Sequence, residues 1–334
     1  MTRPHLKIFV SVVFLFSGIF LCLLLFGYTN EDAIFRKKMD ILEKKREAQN
    51  KERFKQLRET AAQGDVEAQY LLGQHFDGKA HSLYSTDQDR TDAAYWYRKA
   101  AEQGHVKAQY SLGDGYITRN PEEEVMWLSK AVEQGHFGAQ FRLGEHYYKG
   151  WGVPQDKEEA VHWFCKAAEQ GHTEAQWRLG KCYFEGDGVP QDKEEAVVWW
   201  RKAAEQNGQY ADYSKYRIGK CYFDGEGVPQ DKAEAIKWLS GFNEKHFPDA
   251  FYLIGECYYD GEGVAQDKAK AVEFFRKAAY WWHNDARYRL GKCYYEGEGV
   301  PKNKAEAIKW LREAATSERG HKEATDLLRQ IEGK

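Results

Sequence analysis

The sequence is poor in the residues that interrupt or crosslink a chain. Its 334 residues include only 7 prolines, 6 cysteines and 3 methionines, whereas aromatic residues make up 15%. Disordered chains are usually rich in proline and poor in aromatic residues, so this composition excludes that class. It is instead typical of short helices that pack through aromatic rings.

A dominant charge of one sign is also missing. The chain carries 49 Lys and Arg residues against 52 Asp and Glu residues, which gives a formal net charge of -3. A protein that binds nucleic acid usually has a basic excess, because it must neutralise phosphates. We therefore expect no nucleic-acid partner.

The cysteines do not have the spacing of a disulfide framework. Four of them occupy one equivalent position in successive sequence units: Cys182, Cys221, Cys257 and Cys293. Helices in contact lie about 8–10 Å apart, whereas a disulfide needs Cα atoms within about 7 Å. We predict that these four are small packing residues.

Residues 8–28 form a long apolar run without a charged side chain. As a helix, this run would span about 31 Å, close to the roughly 30 Å of a bilayer core. It ends in Phe26, Gly27 and Tyr28 rather than in the small residues of a cleavage site. The sequence therefore predicts a short basic tail at 1–7 and an uncleaved transmembrane anchor at 8–28.

The charges around this run give conflicting signals for its orientation. Arg3 and Lys7 favour a cytoplasmic N-terminus, and Glu31 and Asp32 directly follow the run. Six basic residues within the next turns favour the opposite orientation: Arg36, Lys37, Lys38, Lys44, Lys45 and Arg46. The balance leans slightly towards an extracytoplasmic, periplasmic location for the rest of the chain.

A Leu-Gly or Ile-Gly pair recurs along most of the sequence. The glycines of this pair, here called the repeat glycines, are Gly73, Gly113, Gly144, Gly180, Gly219, Gly255 and Gly291. Self-similarity at such a period is the signature of a stacked repeat array. We predict an all-α solenoid of seven helix pairs within residues 64–334, with a lone capping helix at its C-terminal end.

Each unit carries signals for two helices and a turn. In the unit of Gly180, an apolar face with Ala175 and Leu179 is followed by Gly186-Asp-Gly188-Val-Pro190, which ends the first helix. Asp192 then provides the N-cap of the second helix. One unit cannot bury its apolar face alone, so stability must come from stacked neighbours. Residues 29–63, before the array, read as a long charged juxtamembrane helix.

The repeated stretch at 168–203, AEQGHTEAQWRLGKCYFEGDGVPQDKEEAVVWWRKA, resembles a Sel1-like repeat of the tetratricopeptide class. The resemblance covers about residues 60–331. It departs from the pattern around Gly113, where the Gly-Val-Pro loop is missing, and at Ala265, which replaces a proline. It implies a curved α-solenoid that acts as an adaptor in signalling, envelope or quality-control assemblies.

A basic ridge is the candidate binding site. Arginines stand two residues before four repeat glycines, and three of those glycines are followed by a lysine: Lys181, Lys220 and Lys292. The candidate site residues are Arg142, Arg178, Arg217, Arg289, Lys181, Lys220 and Trp177. If the first helices line a concave wall, the guanidinium groups would bind an acidic peptide or a free C-terminus. The alternative is a solvated face neutralised by Glu145, Glu185 and Glu256.

Two further regular patterns favour structural roles. The aromatic residue three positions before each repeat glycine is expected to pack between units. Histidines at the starts of first helices lie one repeat apart, too far to share a metal ion, and are expected to hydrogen-bond the helix ends: His105, His136, His172 and His321. We predict no metal and no cofactor.

No catalytic pattern stands out. No serine is followed three residues later by a lysine, and Gly-x-Ser-x-Gly and His-Glu-x-x-His motifs are missing. We therefore expect a membrane-tethered scaffold that binds a protein or peptide. The alternatives are an envelope protein that stacks wall polymers on aromatic residues such as Trp151, a wall-metabolism hydrolase, or self-association through Glu31–Gln63.

Overall fold

The computed structural model describes residues 30–80, 86–115, 117–243, 245–316 and 320–333. The basic tail at 1–7 and the apolar run at 8–28 lie outside these residues, so the predicted anchor stays a prediction. Among the described helices, none combines the length and apolar character needed to cross a bilayer.

The described chain is all-α and consists of sixteen helices. The first seven are α1 (Asn30–Ala62), α2 (Val66–Ala80), α3 (Asp87–Glu102), α4 (Val106–Gly113), α5 (Pro121–Glu133), α6 (Phe137–Lys149) and α7 (Lys157–Glu169). The others are α8 (Thr173–Glu185), α9 (Lys193–Ala204), α10 (Gln209–Asp224), α11 (Lys232–Leu239), α12 (Pro248–Asp260), α13 (Lys268–Tyr280), α14 (Asn284–Glu296), α15 (Lys304–Ala315) and α16 (Lys322–Glu332).

Helices α2 to α15 form seven pairs, numbered here as units 1 to 7, and each helix packs against the one before and the one after it. The predicted seven-unit solenoid is therefore confirmed. The sequence predicts a long charged helix before the array, and α1 occupies that stretch. At the other end, α16 covers α15 with the buried side chains of Ala324 and Ile331.

The repeat glycine brings the two helices of a pair together. A Cβ atom on Gly180 would lie 2.5 Å from the indole Nε1 of Trp200 and 3.0 Å from the Ala196 carbonyl oxygen. The backbone of the second helix thus approaches Gly180 closely, and the aromatic ring of Trp200 lies closer still. Alanines and leucines fill the remaining space, and Ala175 and Leu179 are fully buried.

The array curves with its first helices inside. First helices of successive units contact each other directly at α2–α4, α4–α6 and α8–α10, and their second helices have no contact of comparable extent in the described residues. Helices that approach more closely on one side of a solenoid form its inner wall. The side chains that bridge first helices therefore line the concave side.

The Gly-x-Gly segments are turns, as predicted, and they also join units. The first helices of units 3 to 7 end at glycines in the left-handed conformation, for example Gly186 at φ 74°. The second glycine of the segment then packs against the preceding unit: a Cβ on Gly188 would lie 2.3 Å from the carbonyl oxygen of Lys157. A side chain at this position would therefore separate two units.

The four equivalent cysteines are free and buried, which confirms their predicted packing role. Burial raises the pKa of the Cys182 thiol to about 11, with a further contribution from Asp187. A thiol in this environment stays protonated and unreactive near neutral pH.

Candidate functional site: a gap in an arginine–carboxylate ladder

Three of the four predicted arginines bridge neighbouring first helices. In each case the guanidinium meets the carboxylate that directly follows the repeat glycine of the preceding unit. The pairs are Arg142–Asp114 at 2.7 Å, Arg178–Glu145 at 3.0 Å and Arg289–Glu256 at 2.5 Å. These pairs form a ladder on the inner wall. The sequence predicts Glu145 and Glu256 as neutralising groups, but not Asp114. Asp114 could have been found in the same way, because it directly follows the repeat glycine Gly113.

The ladder pairs are held in partly buried surroundings. The side chain of Glu145 is 11% exposed and that of Arg178 is 24% exposed. Burial works against the charge of Arg142, but Asp114 and Tyr110 outweigh it, so the pKa of this guanidinium is raised. Burial also raises the pKa of Glu256, against the influence of Arg289. Paired and half-buried, these arginines already have an anion within the chain.

Arg217 is the exception. The residue that follows the preceding repeat glycine is Lys181, so a cation stands where the other units have a carboxylate. No carboxylate of the described residues lies within ion-pair distance of Arg217. Its guanidinium instead lies 4.7 Å from the ring centre of Phe184 and 5.0 Å from that of Trp200. Cation–π contacts of this kind leave the edge of the guanidinium able to donate hydrogen bonds.

The next rung is also basic, because Lys220 follows the repeat glycine of unit 5 and faces the Leu253 position of unit 6. Among the described residues, Lys181 and Lys220 form ion pairs with acidic residues one turn further along their own helices, at 3.8 Å to Glu185 and 2.9 Å to Asp224. The two lysines are 38% and 41% exposed. Such exposed pairs are weak and easily exchanged for another anion. We call Lys181, Arg217 and Lys220 the basic gap.

An aromatic cluster lies beside the gap. The ring of Trp177 is 5.5 Å from that of Tyr210 and 6.0 Å from that of Tyr213, and Tyr213 in turn contacts Phe247 at 5.7 Å. Trp177 is half-buried in this packing. Trp151, in contrast, is 52% exposed and is capped by the Lys149 ammonium at 4.0 Å.

The other aromatic residues of this position pack between units, as predicted. Each of five stacks on the histidine that starts the first helix of the next unit or, for Tyr288, the capping helix α16: Tyr70–His105, Tyr110–His136, Phe141–His172, Tyr252–His283 and Tyr288–His321. Every one of these histidines is an N-cap whose Nδ1 accepts a backbone N–H. His283 is not among the histidines that the sequence predicts as helix caps, although it stands eight residues before Gly291, as His105, His136 and His172 do before their repeat glycines.

Within the residues that the structure describes, no three His, Cys, Asp or Glu side chains are grouped so as to hold a metal ion. The chemistry that the site offers is anion recognition by an arginine and two lysines, next to an aromatic surface.

The comparisons with known proteins agree with this architecture. The Sel1 repeat family matches at residues 66–105, 107–136, 138–172, 173–208, 212–240, 248–280 and 284–317. No curated protein matches the chain.

Two solved structures are similar over most of the chain. A protective antigen of uropathogenic Escherichia coli, c5321, which displays an SLR fold, is 33% identical with a TM-score of 0.73, and the match covers 84% of this chain and 59% of the antigen. A Sel1 repeat protein from Oxalobacter formigenes is 32% identical with a TM-score of 0.51, and the match covers 83% of this chain and 90% of that protein. The chain thus spans less than two thirds of the antigen's length. With seven matched repeats and this solenoid, the chain belongs to the Sel1 repeat family.

Proposed function

We propose that this repeat scaffold binds a protein partner on its inner wall, and that an acidic segment or a free C-terminus of the partner occupies the basic gap. The observation that supports this proposal is the interruption of the ladder at Arg217. Where a partner within the chain is available, the equivalent arginine takes it, so an anion from another molecule would complete the missing rung.

The surroundings of the gap also favour a peptide ligand. The neighbouring aromatic cluster offers apolar contact next to the cations, and Trp177 and Arg178 contribute one ring and one guanidinium at 5.5 Å. A segment of an acidic peptide with an apolar neighbour matches this combination. Arg142 and Arg289 already form ion pairs with Asp114 and Glu256, so we assign them a structural role in the inner wall.

The proposal includes attachment to a membrane through residues 8–28, with the repeats on the extracytoplasmic side, and it assigns no enzymatic activity to the chain. A tethered scaffold would present its inner wall to partners near that membrane. The exposed Trp151 offers a ring on which a sugar can stack. Binding of a wall polymer is therefore the second outcome of the experiment below.

The test is cross-linked affinity capture from native membranes with a charge-reversed gap. Lys181→Glu would place a carboxylate opposite Arg217 and so close the ladder from within. The control is Lys292→Glu, which changes the same position of unit 7, where no arginine faces it. We expect a specific protein to be recovered with the wild type and with Lys292→Glu, and to be lost with Lys181→Glu.

Recovery of the same proteins with all three chains would refute binding at the gap. Recovery of peptidoglycan or another wall polymer in place of protein would refute the protein-binding proposal itself. We expect Lys181→Glu to leave the fold intact. If the helical circular dichroism of this variant matches that of the wild type, unfolding does not account for the loss of a partner.

A further inference from the structure

A lysine of one unit holds a carboxylate of the next unit, and at two of these junctions a tyrosine joins it to form a receptor for that carboxylate. In unit 3, the Tyr148 hydroxyl donates a hydrogen bond of 2.5 Å to Asp187 of unit 4, and the Lys157 ammonium lies 2.7 Å from the same carboxylate. The same combination recurs between units 6 and 7, with Tyr259, Lys268 and Glu298. Tyrosine and lysine together thus hold an acidic residue at the tip of the next Gly-x-Gly turn.

The receptor also selects the residue after the acid. Asp187 is followed by Gly188, and a Cβ there would lie 2.3 Å from the Lys157 carbonyl oxygen. At the equivalent contact, a Cβ on Gly299 would lie 2.1 Å from the carbonyl oxygen of Lys268. Only a glycine allows this approach, so the receptor recognises an acidic residue followed by glycine on a tight turn.

The last unit carries the same receptor without an occupant among the described residues. Tyr295 and Lys304 stand at the positions of Tyr148 and Lys157, and with Glu296 and Lys302 they line an open cleft of about 560 Å³. No carboxylate of the described residues pairs with Lys304. Helix α16 packs against α15 where a further first helix would lie, but it does not cover this cleft with a Gly-x-Gly turn.

The cleft of unit 7 carries more positive charge than the equivalent contact surfaces of units 3 to 6, and it therefore favours an acidic occupant more strongly. Four units have a glutamine at the position of Lys302, and each of these glutamines donates to a backbone carbonyl of its own unit: Gln155, Gln191, Gln230 and Gln266. Lys302 adds a second cation beside Lys304, against the single carboxylate of Glu296. Opposite charge at close range improves both affinity and orientation.

We propose that the Tyr295–Lys304 cleft binds an acidic residue followed by glycine on a tight turn of a partner protein, in the manner in which Tyr148 and Lys157 hold Asp187. The partner would then dock end-on, as a further repeat does. This surface is separate from the basic gap, and the proposal does not rest on the function assigned to that gap.

The experiment uses the full-length chain in detergent micelles with its lysines labelled by ¹³C-dimethylation. The probe is a cyclic peptide with the sequence of residues 294–302, which contains Glu298 and Gly299. The NMR signal of Lys304 is identified by its disappearance in Lys304→Arg. We expect saturable shifts of the Lys302 and Lys304 signals, and at least about fivefold weaker binding of peptides with Glu298→Gln or Gly299→Ala, since each removes one recognised feature.

Charge reversal in the chain completes the test. Lys304→Glu should abolish the binding, whereas Lys309→Glu, an exposed lysine elsewhere on α15, should bind the peptide as the wild type does. Absence of a saturable shift, equal binding of the three peptides, or equal loss in Lys309→Glu would overturn the proposal. A non-specific attraction between charges would weaken binding equally in Lys304→Glu and Lys309→Glu.

Discussion

Histidine replaces the usual N-cap residues at four first helices and at the capping helix α16, because its unprotonated Nδ1 accepts a backbone N–H. At His172 this contact, from Ala175, is 3.1 Å. A backbone N–H can only donate, so Nδ1 must be without a proton and Nε2 must carry it. Protonation of both nitrogens removes the cap, which links the stability of the array to pH.

Acid is therefore expected to weaken the units around His136 and His172. Burial lowers the pKa of both imidazoles, helped by Lys107 at His136 and by Arg142 at His172. Between the lowered pKa and the ordinary value of 6.5, the unfolded chain binds more protons than the folded one. This stabilisation is complete above pH 6.5 and is lost as the pH falls through the folded pKa.

The measurement is the free energy of urea unfolding between pH 7.5 and 5. The control replaces both histidines with asparagine, which caps a helix without titrating in this range. We expect the asparagine variant to lose less stability on acidification than the wild type. Parallel pH profiles of the two chains would contradict the prediction.

The second glycine of each Gly-x-Gly turn is predicted to be less replaceable than other glycines with positive φ. Gly188→Ala combines the left-handed strain with an overlap on the Lys157 carbonyl, and we expect a loss of about 3 kcal/mol. Gly171→Ala is the control, because its φ is 87° and a Cβ there meets nothing within 4 Å. Its loss should be about 1 kcal/mol. Equal losses in thermal or urea unfolding would exclude the close contact between units.

At the scale of helices, the ladder gives a role to the residue after the repeat glycine, which is acidic in units 2, 3 and 6 and basic in units 4, 5 and 7. An acid there binds the arginine of the next unit, as Glu145 binds Arg178, whereas Lys181 leaves Arg217 without that contact. A surface that sacrifices a stabilising contact is often a binding surface, because stability and function are then in competition.

Closing the gap should therefore stabilise the protein. We expect Lys181→Glu to raise the free energy of unfolding by about 0.5–1 kcal/mol through a pair with Arg217. Lys292→Glu loses a comparable i,i+4 pair, of Lys292 with Glu296 at 4.0 Å, but gains no arginine, so it should be neutral or slightly destabilising. Urea unfolding of the two variants distinguishes them, and a destabilised Lys181→Glu would show that Arg217 is satisfied by its aromatic neighbours.

At the scale of the whole molecule, stability is shared along the array, so the ends matter most for solubility and local order. Helix α16 covers Leu311 and Ala314, both fully buried. Deletion of residues 320–334 should expose them and loosen the last unit first. Hydrogen exchange should show lost protection in α14 and α15 and retained protection in α6 to α9. Uniform loss along the array would instead indicate one cooperative unit.

The N-terminal helix leads to a second prediction at this scale. Along α1, Phe35 is 63%, Ile41 50% and Leu42 58% exposed, which is unusual for large apolar side chains in water. We expect residues 30–334 to self-associate with rising concentration and residues 60–334 to remain monomeric. Sedimentation equilibrium measures both masses, and concentration-independent masses for the longer chain would exclude association through α1.

Most of the fold could be predicted from the sequence because a repeat array is built from local rules. The repeat glycines, the Gly-x-Gly-Val-Pro turns and the Asp N-caps act over a few residues each. The sevenfold recurrence of the repeat glycine, with the turn and the cap in most units, identifies the solenoid. A glycine precedes the other capping histidines, whereas Trp282 precedes His283 and adopts the left-handed conformation there at φ 68°, so the sequence pattern does not mark His283.

The site was only partly predictable, because it depends on contacts between units. The sequence by itself determined the seven units, the buried cysteines and the basic positions at Arg142, Arg178 and Arg217. Only the tertiary structure decided that two of these arginines are paired and that Arg217 is not, since side chains about one repeat apart in sequence meet within 3 Å across a helix interface. The period of the repeat specifies which positions recur, but the stacking of helices decides which of them touch.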